Sequence, residues 1–209
     1  MSQAMGILGG TFDPIHLGHV AMAQQVLATC SLSQVLFMPN NVSADKFSVV
    51  ATAAQRLEMV RLSLSSEDNM STSDLELQRP GKSYAVDTLR LLRQQYPATP
   101  LVFIIGSDAF SHITSWYQYQ ELFSLCHFVV VNRDGGEFEK MNLPEGLTSR
   151  LTTELDSLQQ QLAGKIYFQT IQPITISATE VRQHLRTGDD LSAYLNPKVI
   201  DYIASHKLY

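Results

Sequence analysis

The chain has 209 residues, enough for one α/β domain with a buried core, and 44% hydrophobic with 17% charged residues is ordinary for a globular protein. A net charge of −5 without any Lys/Arg-rich run excludes bulk nucleic-acid binding, so an anionic ligand must be held by local features and not by the overall field. No apolar run is long enough to cross a bilayer and no basic-then-apolar leader opens the chain, while Cys30 and Cys126 sit in apolar surroundings without a Cys-x-x-Cys arrangement. The expectation is a single domain over 1–209, cytoplasmic, with reduced buried thiols, a monomer or homodimer, and no nucleic-acid or membrane partner.

In chain order, residues 4–8 read as a short buried strand, followed by Gly9-Gly10 and then a helix over 17–28. Residues 35–38, 101–105 and 128–131 are apolar, β-branched and aromatic, the pattern of strands buried on both faces. Helical spacing recurs over 52–64, where Thr52 and Gln55 make a capping box, and over 84–95. Residues 132–146, with Gly135-Gly136 and Pro144, read as an exposed loop, and 151–162 as a helix with a solvated Gln159-Gln160-Gln161 run. A last helix starts at Pro197, a residue suited to a first turn. Alternating strands and helices predict a Rossmann-like α/β fold, a mostly parallel sheet with helices on both faces and ligands at the strands' carboxyl ends.

The densest chemistry lies in residues 9–19, Gly-Gly-Thr-Phe-Asp-Pro-Ile-His-Leu-Gly-His. Glycines after a strand let the main chain approach a polyphosphate, and the helix that follows offers free N–H groups and a partial positive charge. His16 and His19 can donate to oxygens on which charge develops during phosphoryl or nucleotidyl transfer. An ordinary turn with surface histidines is the plain alternative. A metal pair lacks an evident third ligand, and neither the Gly-x-Gly-x-x-Gly fingerprint nor a P-loop ending is present.

Near the other end, Ser177 and Glu180 have capping-box spacing, while Thr179 and Arg182, one turn apart, can aim a hydroxyl and a guanidinium at one anion. Together with Met38-Pro39-Asn40-Asn41, Lys82-Ser83-Tyr84, residues 103–108 and Ser115-Trp116-Tyr117, these segments resemble the nucleotidyltransferases that carry His-x-Gly-His, and among them the bacterial nicotinate-nucleotide adenylyltransferases.

That resemblance implies transfer of AMP from ATP to nicotinate mononucleotide, with Mg²⁺ accompanying ATP and no nucleophilic side chain required, because the attacking phosphate is already anionic. It implies that His16 and His19 contact the ATP phosphates and stabilise the transition state, with Arg182 as a further catalytic residue at the β- and γ-phosphates. Gly9, Gly10, Thr11, Phe12, Gly106, Asp108, Arg133, Ser177 and Thr179 would bind ATP. Asn40, Lys46, Ser83, Tyr84, Trp116 and Tyr117 would bind the mononucleotide, with Trp116 stacking on its pyridine ring and main-chain N–H groups near Tyr84 selecting a carboxylate.

Each residue also has a plainer role: Asp13-Pro14 as a turn, Asp108 as cap of a short helix over 109–112, Arg133 as a solvated loop residue, Trp116 as core. The chain departs from the family's Pro-Pro-His-Lys-like run at Val42-Ser43-Ala44-Asp45-Lys46, where Asp45 puts a negative charge in place of a His; either it points away from the phosphate, or the loop closes differently, or mononucleotide affinity is reduced. A sister enzyme acting on nicotinamide mononucleotide or phosphopantetheine, and a non-catalytic nucleotide-binding regulator, are the competing expectations.

Overall fold

The computed structural model describes residues 3–43, 49–132, 143, 146–172 and 176–209. β1 (Met5–Gly10), β2 (Gln34–Pro39), β4 (Met70–Thr72), β6 (Leu101–Gly106), β7 (His127–Asn132) and β8 (Ile166–Thr170) form one sheet in the order β4-β2-β1-β6-β7-β8. Every pairing in it is parallel. A separate two-residue parallel ladder joins β3 (Val42–Ser43) to β5 (Lys82–Ser83).

The strands are apolar on both faces, as the runs in the sequence imply. In β6, Val102 and Ile104 face one core while Leu101, Phe103 and Ile105 face the other. The first core is closed by α1 (Leu17–Thr29), α2 (Ala53–Ser63), α7 (Ala178–Thr187) and α8 (Pro197–His206), through Val20, Val26, Met59, Val60, Val181 and Val199. The second is closed by α3 (Ala85–Gln95), α4 (Ser107–Ser111) and α5 (Tyr119–Leu125), through Val86, Leu89, Phe110 and Phe123. Gly6 marks where β1 meets the first core most tightly, since a Cβ there would lie 2.9 Å from Leu32.

The sheet order places β2 on one side of β1 and β6 on the other. Chains leaving the carboxyl ends of β1 and β6 therefore run to opposite faces, which opens a crevice at that point of reversal. Thr52 caps α2 by the capping box read from the sequence, and Asn196 caps α8 ahead of Pro197. Cys30 and Cys126 are buried free thiols; burial pushes Cys30 up to about 12 and Cys126 upward as well.

Two expectations are corrected. The helix over 151–162 shrinks to α6 (Ser157–Gln160). Leu151 instead bridges Ile166 in parallel, and the Thr152 hydroxyl accepts from Glu154 N at 3.1 Å, a local turn that competes with helix formation. Gln159 is not solvated: it accepts from Ala4 N at 2.8 Å and donates to Cys30 O at 2.8 Å, stapling α6 to the ends of β1 and α1. The cap of α4 is Gly106, so Asp108 sits inside the first turn and does not cap it. The expected loop over 132–146 falls mostly outside the described residues.

Candidate active site

At the carboxyl end of β1, Gly9 and Gly10, with Thr11 just beyond the strand, run along a cavity of about 620 Å³. Gly10 is required by packing: a Cβ there would come within 2.9 Å of the ring of Phe12, which turns back beneath it with φ +49°. Phe12 is buried and meets His19 edge-on at 5.1 Å between ring centroids. It is thus a support beneath the loop, and the same fact supplies a second reason for Gly10 beyond ligand approach.

His16 caps α1 and is 3% exposed; its ring lies 3.7 Å from that of His19. The main-chain N–H of His16 donates to His19 Nδ1 at 3.3 Å. With Nδ1 serving as acceptor, a neutral His19 carries its proton on Nε2, as a donor. His19 lines the cavity; His16 lies behind it.

Asp13 takes the structural role. Its buried carboxylate accepts from Val50 N at 2.8 Å, from Ala51 N at 3.0 Å and from the Tyr209 hydroxyl at 2.6 Å. Its carbonyl accepts from Arg182 Nη1 at 2.7 Å, which docks the start of α7 against the histidine loop. The two segments at opposite ends of the sequence are therefore neighbours.

At that helix start Ser177 and Glu180 form the capping box, with the Ser177 hydroxyl donating to Glu180 Oε2 at 2.7 Å. Hydrogen bonds from Ser177 hold the Glu180 carboxyl below its ordinary value, and the nearby His16 acts in the same direction. Arg182 Nη2 also donates to Thr179 Oγ1 at 3.2 Å. Thr179 and Arg182 line a second opening of about 300 Å³, with Val50, Gln183 and Arg186.

The opposite wall of the larger cavity is built by Lys82, Ser83, Tyr84, Trp116 and Tyr117. Trp116 is half-buried with Phe103 edge-on at 6.1 Å, and Tyr84 leans on Tyr117 at 4.9 Å. The Asn40 amide donates to Thr11 Oγ1 at 3.2 Å, joining the loops after β2 and β1. Gly106 lines the cavity, whereas Asp108 is exposed on α4 and outside its wall. Lys46, Asp45 and Arg133 lie outside the described residues.

Three residues escaped the sequence reading. Tyr209 reaches Asp13 across 196 positions, with no local pattern to announce it. Glu76 is buried in the cavity wall, where Thr88 donates to it at 2.6 Å. Burial pushes its carboxyl up, against hydrogen bonds from Thr88 and Ser83 and the charge of Arg79. Arg56 is buried in α2, and a charged residue beside Leu57, Met59 and Val60 was a visible signal.

Comparison with known proteins agrees with this fold. The cytidylyltransferase-like family profile matches residues 7–184. A protein of Shewanella frigidimarina named "Probable nicotinate-nucleotide adenylyltransferase" is 40% identical over 208 residues, covering 98% of this chain and 99% of that protein. The chain belongs to the nicotinate-nucleotide adenylyltransferase family, within the cytidylyltransferase-like fold group. A Coxiella burnetii protein with the same name is 37% identical over 213 residues, covering 100% of this chain and 99% of its own. The fold also matches the Plasmodium falciparum nicotinic acid mononucleotide adenylyltransferase complexed with NaAD, at a TM-score of 0.73 and 20% identity, over 99% of this chain and 97% of that one.

Proposed function

We propose that this family member transfers AMP from ATP to nicotinate mononucleotide, forming nicotinate adenine dinucleotide and pyrophosphate in NAD biosynthesis. The observation that carries the reading is one cavity whose rim holds Gly9, Gly10, Thr11 and His19 on one side and Ser83, Tyr84, Trp116 and Tyr117 on the other. The first set suits an anion at the glycine end of a strand and a helix start; the second suits a flat heteroaromatic ring.

A phosphate oxygen of the mononucleotide forms a bond to the α-phosphorus of ATP, and the bond to the bridging oxygen breaks, its electron pair leaving with pyrophosphate. The nucleophile is already anionic, so the chain has to align two anions and neutralise developing charge. His19, through Nε2–H, donates to oxygens of the α-phosphate. His16, behind it, orients that donor, because its main-chain N–H holds His19 Nδ1 at the start of α1. Arg182, with two of its five donors on Asp13 O and Thr179 Oγ1, presents the rest of its fork toward the outer phosphates. Mg²⁺ belongs to the ATP substrate and spreads the charge of its phosphates; His and Arg donors suit the oxygens that it leaves.

Trp116 and Tyr84 take the pyridine ring. Asn40 and Lys46 take the mononucleotide phosphate. Gly9, Gly10, Thr11, Gly106 and Thr179 take ATP, and Phe12 and Ser177 hold those segments in shape. No described helix is long and apolar enough to cross a membrane. A cytoplasmic location, consistent with the two free buried thiols, is part of the proposal.

Pyrophosphate release is measured with ATP, Mg²⁺ and each of nicotinate mononucleotide, nicotinamide mononucleotide and phosphopantetheine. Turnover preferring the nicotinate acceptor is expected. Preference for another acceptor assigns a sister activity, and tight ATP binding without turnover assigns a regulator.

A further inference from the structure

A cation lies in the buried face of α2. Arg56 is 1% exposed, yet among the described residues its hydrogen bonds all go to uncharged oxygens. Nε donates to Ala51 O at 3.3 Å, Nη1 to Thr11 O at 2.6 Å and Asn40 Oδ1 at 3.2 Å, and Nη2 to Asn40 O at 2.7 Å and Asn41 O at 3.0 Å. Asp13 and Tyr209 act on it only through space, and burial opposes its charge.

Burying a guanidinium without a contacting carboxylate carries a desolvation cost, and an apolar side chain would fill this helix position without one. What only the guanidinium supplies is a rigid planar fork with five donors. Here the fork spans the loops after β1 and β2, the two lips of the cavity at Thr11 and Asn40. From Asn41 the connection runs on to the aromatic wall, since Asn41 N donates to Ser83 Oγ at 3.0 Å and its amide to Arg79 O at 2.8 Å.

We propose that Arg56 is a positioning residue that fixes the spacing between the ATP loop and the acceptor loop, and hence the approach of the attacking phosphate oxygen to the α-phosphorus. The proposal rests on the adenylyl-transfer reading for its kinetic consequence and on geometry alone for its structural one. Arg56 touches neither substrate; it acts through the carbonyls of Thr11, Asn40 and Asn41.

Two readouts test it on Arg56→Lys, with Arg56→Ala as a second variant. Lysine keeps the charge but cannot form the fork. Amide exchange mass spectrometry of the free protein is expected to show faster exchange in the peptides around Thr11 and Asn40–Asn41, with the rest of the chain unchanged. Steady-state kinetics are expected to show kcat down about 100-fold, the cost of a misalignment near 1 Å, with each KM within about threefold. Added guanidinium ion should restore part of the Arg56→Ala rate.

Wild-type exchange at both loops, a uniform acceleration over the whole chain, or an unchanged kcat in an active Arg56→Lys overturns the proposal. An unmodified chain that releases no pyrophosphate refutes adenylyl transfer instead, and the exchange pattern then decides the role of Arg56 by itself.

Discussion

Replacing Tyr209 by Phe removes one hydroxyl and nothing else from the contact that ties the chain's last residue to the histidine loop. The Tyr209 phenol donates to Asp13 Oδ1 at 2.6 Å, and burial together with that carboxylate raises its pKa, so the donor stays protonated through the alkaline range. The variant leaves the ring packed on the first core and leaves Asp13 with Val50 N and Ala51 N. What is lost is one hydrogen bond to a charged group, about 1.5–3 kcal/mol. For a domain of this length each kcal/mol moves the midpoint by about 2–4 °C, so Tm should fall by roughly 3–12 °C. A thermal melt of the two proteins at one pH and salt concentration reads it. The Asp13 carbonyl also holds Arg182, so a fall in kcat beyond the unfolded fraction is expected at temperatures below the melt. A Tm change under about 1 °C would show that the hydroxyl contributes nothing and that the terminus is not an anchor.

Replacing His19 by Ala should lower kcat by about 10²–10³-fold, as for loss of one preorganised donor, with Tm little changed; a near-normal rate removes it from the mechanism. His127 is fully buried, with Nε2 on Gln161 O at 2.8 Å and Nδ1 accepting from Lys165 N at 3.0 Å. Burial, ahead of the other contributions, holds its pKa below the ordinary 6.5. The unfolded chain therefore takes up the proton first on acidification. Its contribution to stability is complete above pH 6.5 and is lost as pH falls from there toward the depressed folded value. Melts between pH 8 and pH 5 should show this decline, flattened in His127→Gln; an equal slope in the variant assigns the acid sensitivity elsewhere.

Much of the architecture is local in origin and so was legible. The strands at 35–38, 101–105 and 128–131 are apolar on both faces because helices cover both sides of a parallel sheet. The capping boxes at Thr52 and Ser177 are four-residue patterns, readable without tertiary information. The pairing of Arg182 with the loop after β1 was expected from the anion that both suit, and contact across 169 positions bears out their proximity. Residues 151–162 misled because helical spacing of Leu151, Leu155 and Leu158 does not reveal that Leu151 pairs with Ile166 and that Thr152 turns the chain. Arg56 and Glu76 were missed for a different reason. The apolar neighbours of Arg56 were a visible signal, but the partners of both residues, mostly carbonyls and hydroxyls of other segments, leave no spacing in the sequence.

The most direct test is a crystal structure with a non-hydrolysable ATP analogue and Mg²⁺. The account predicts a triphosphate lying across residues 13–16, with its α-phosphate within hydrogen-bond distance of His19 and its outer phosphates against Thr179 and Arg182. An analogue whose phosphates contact neither the histidine loop nor the start of α7 would contradict it.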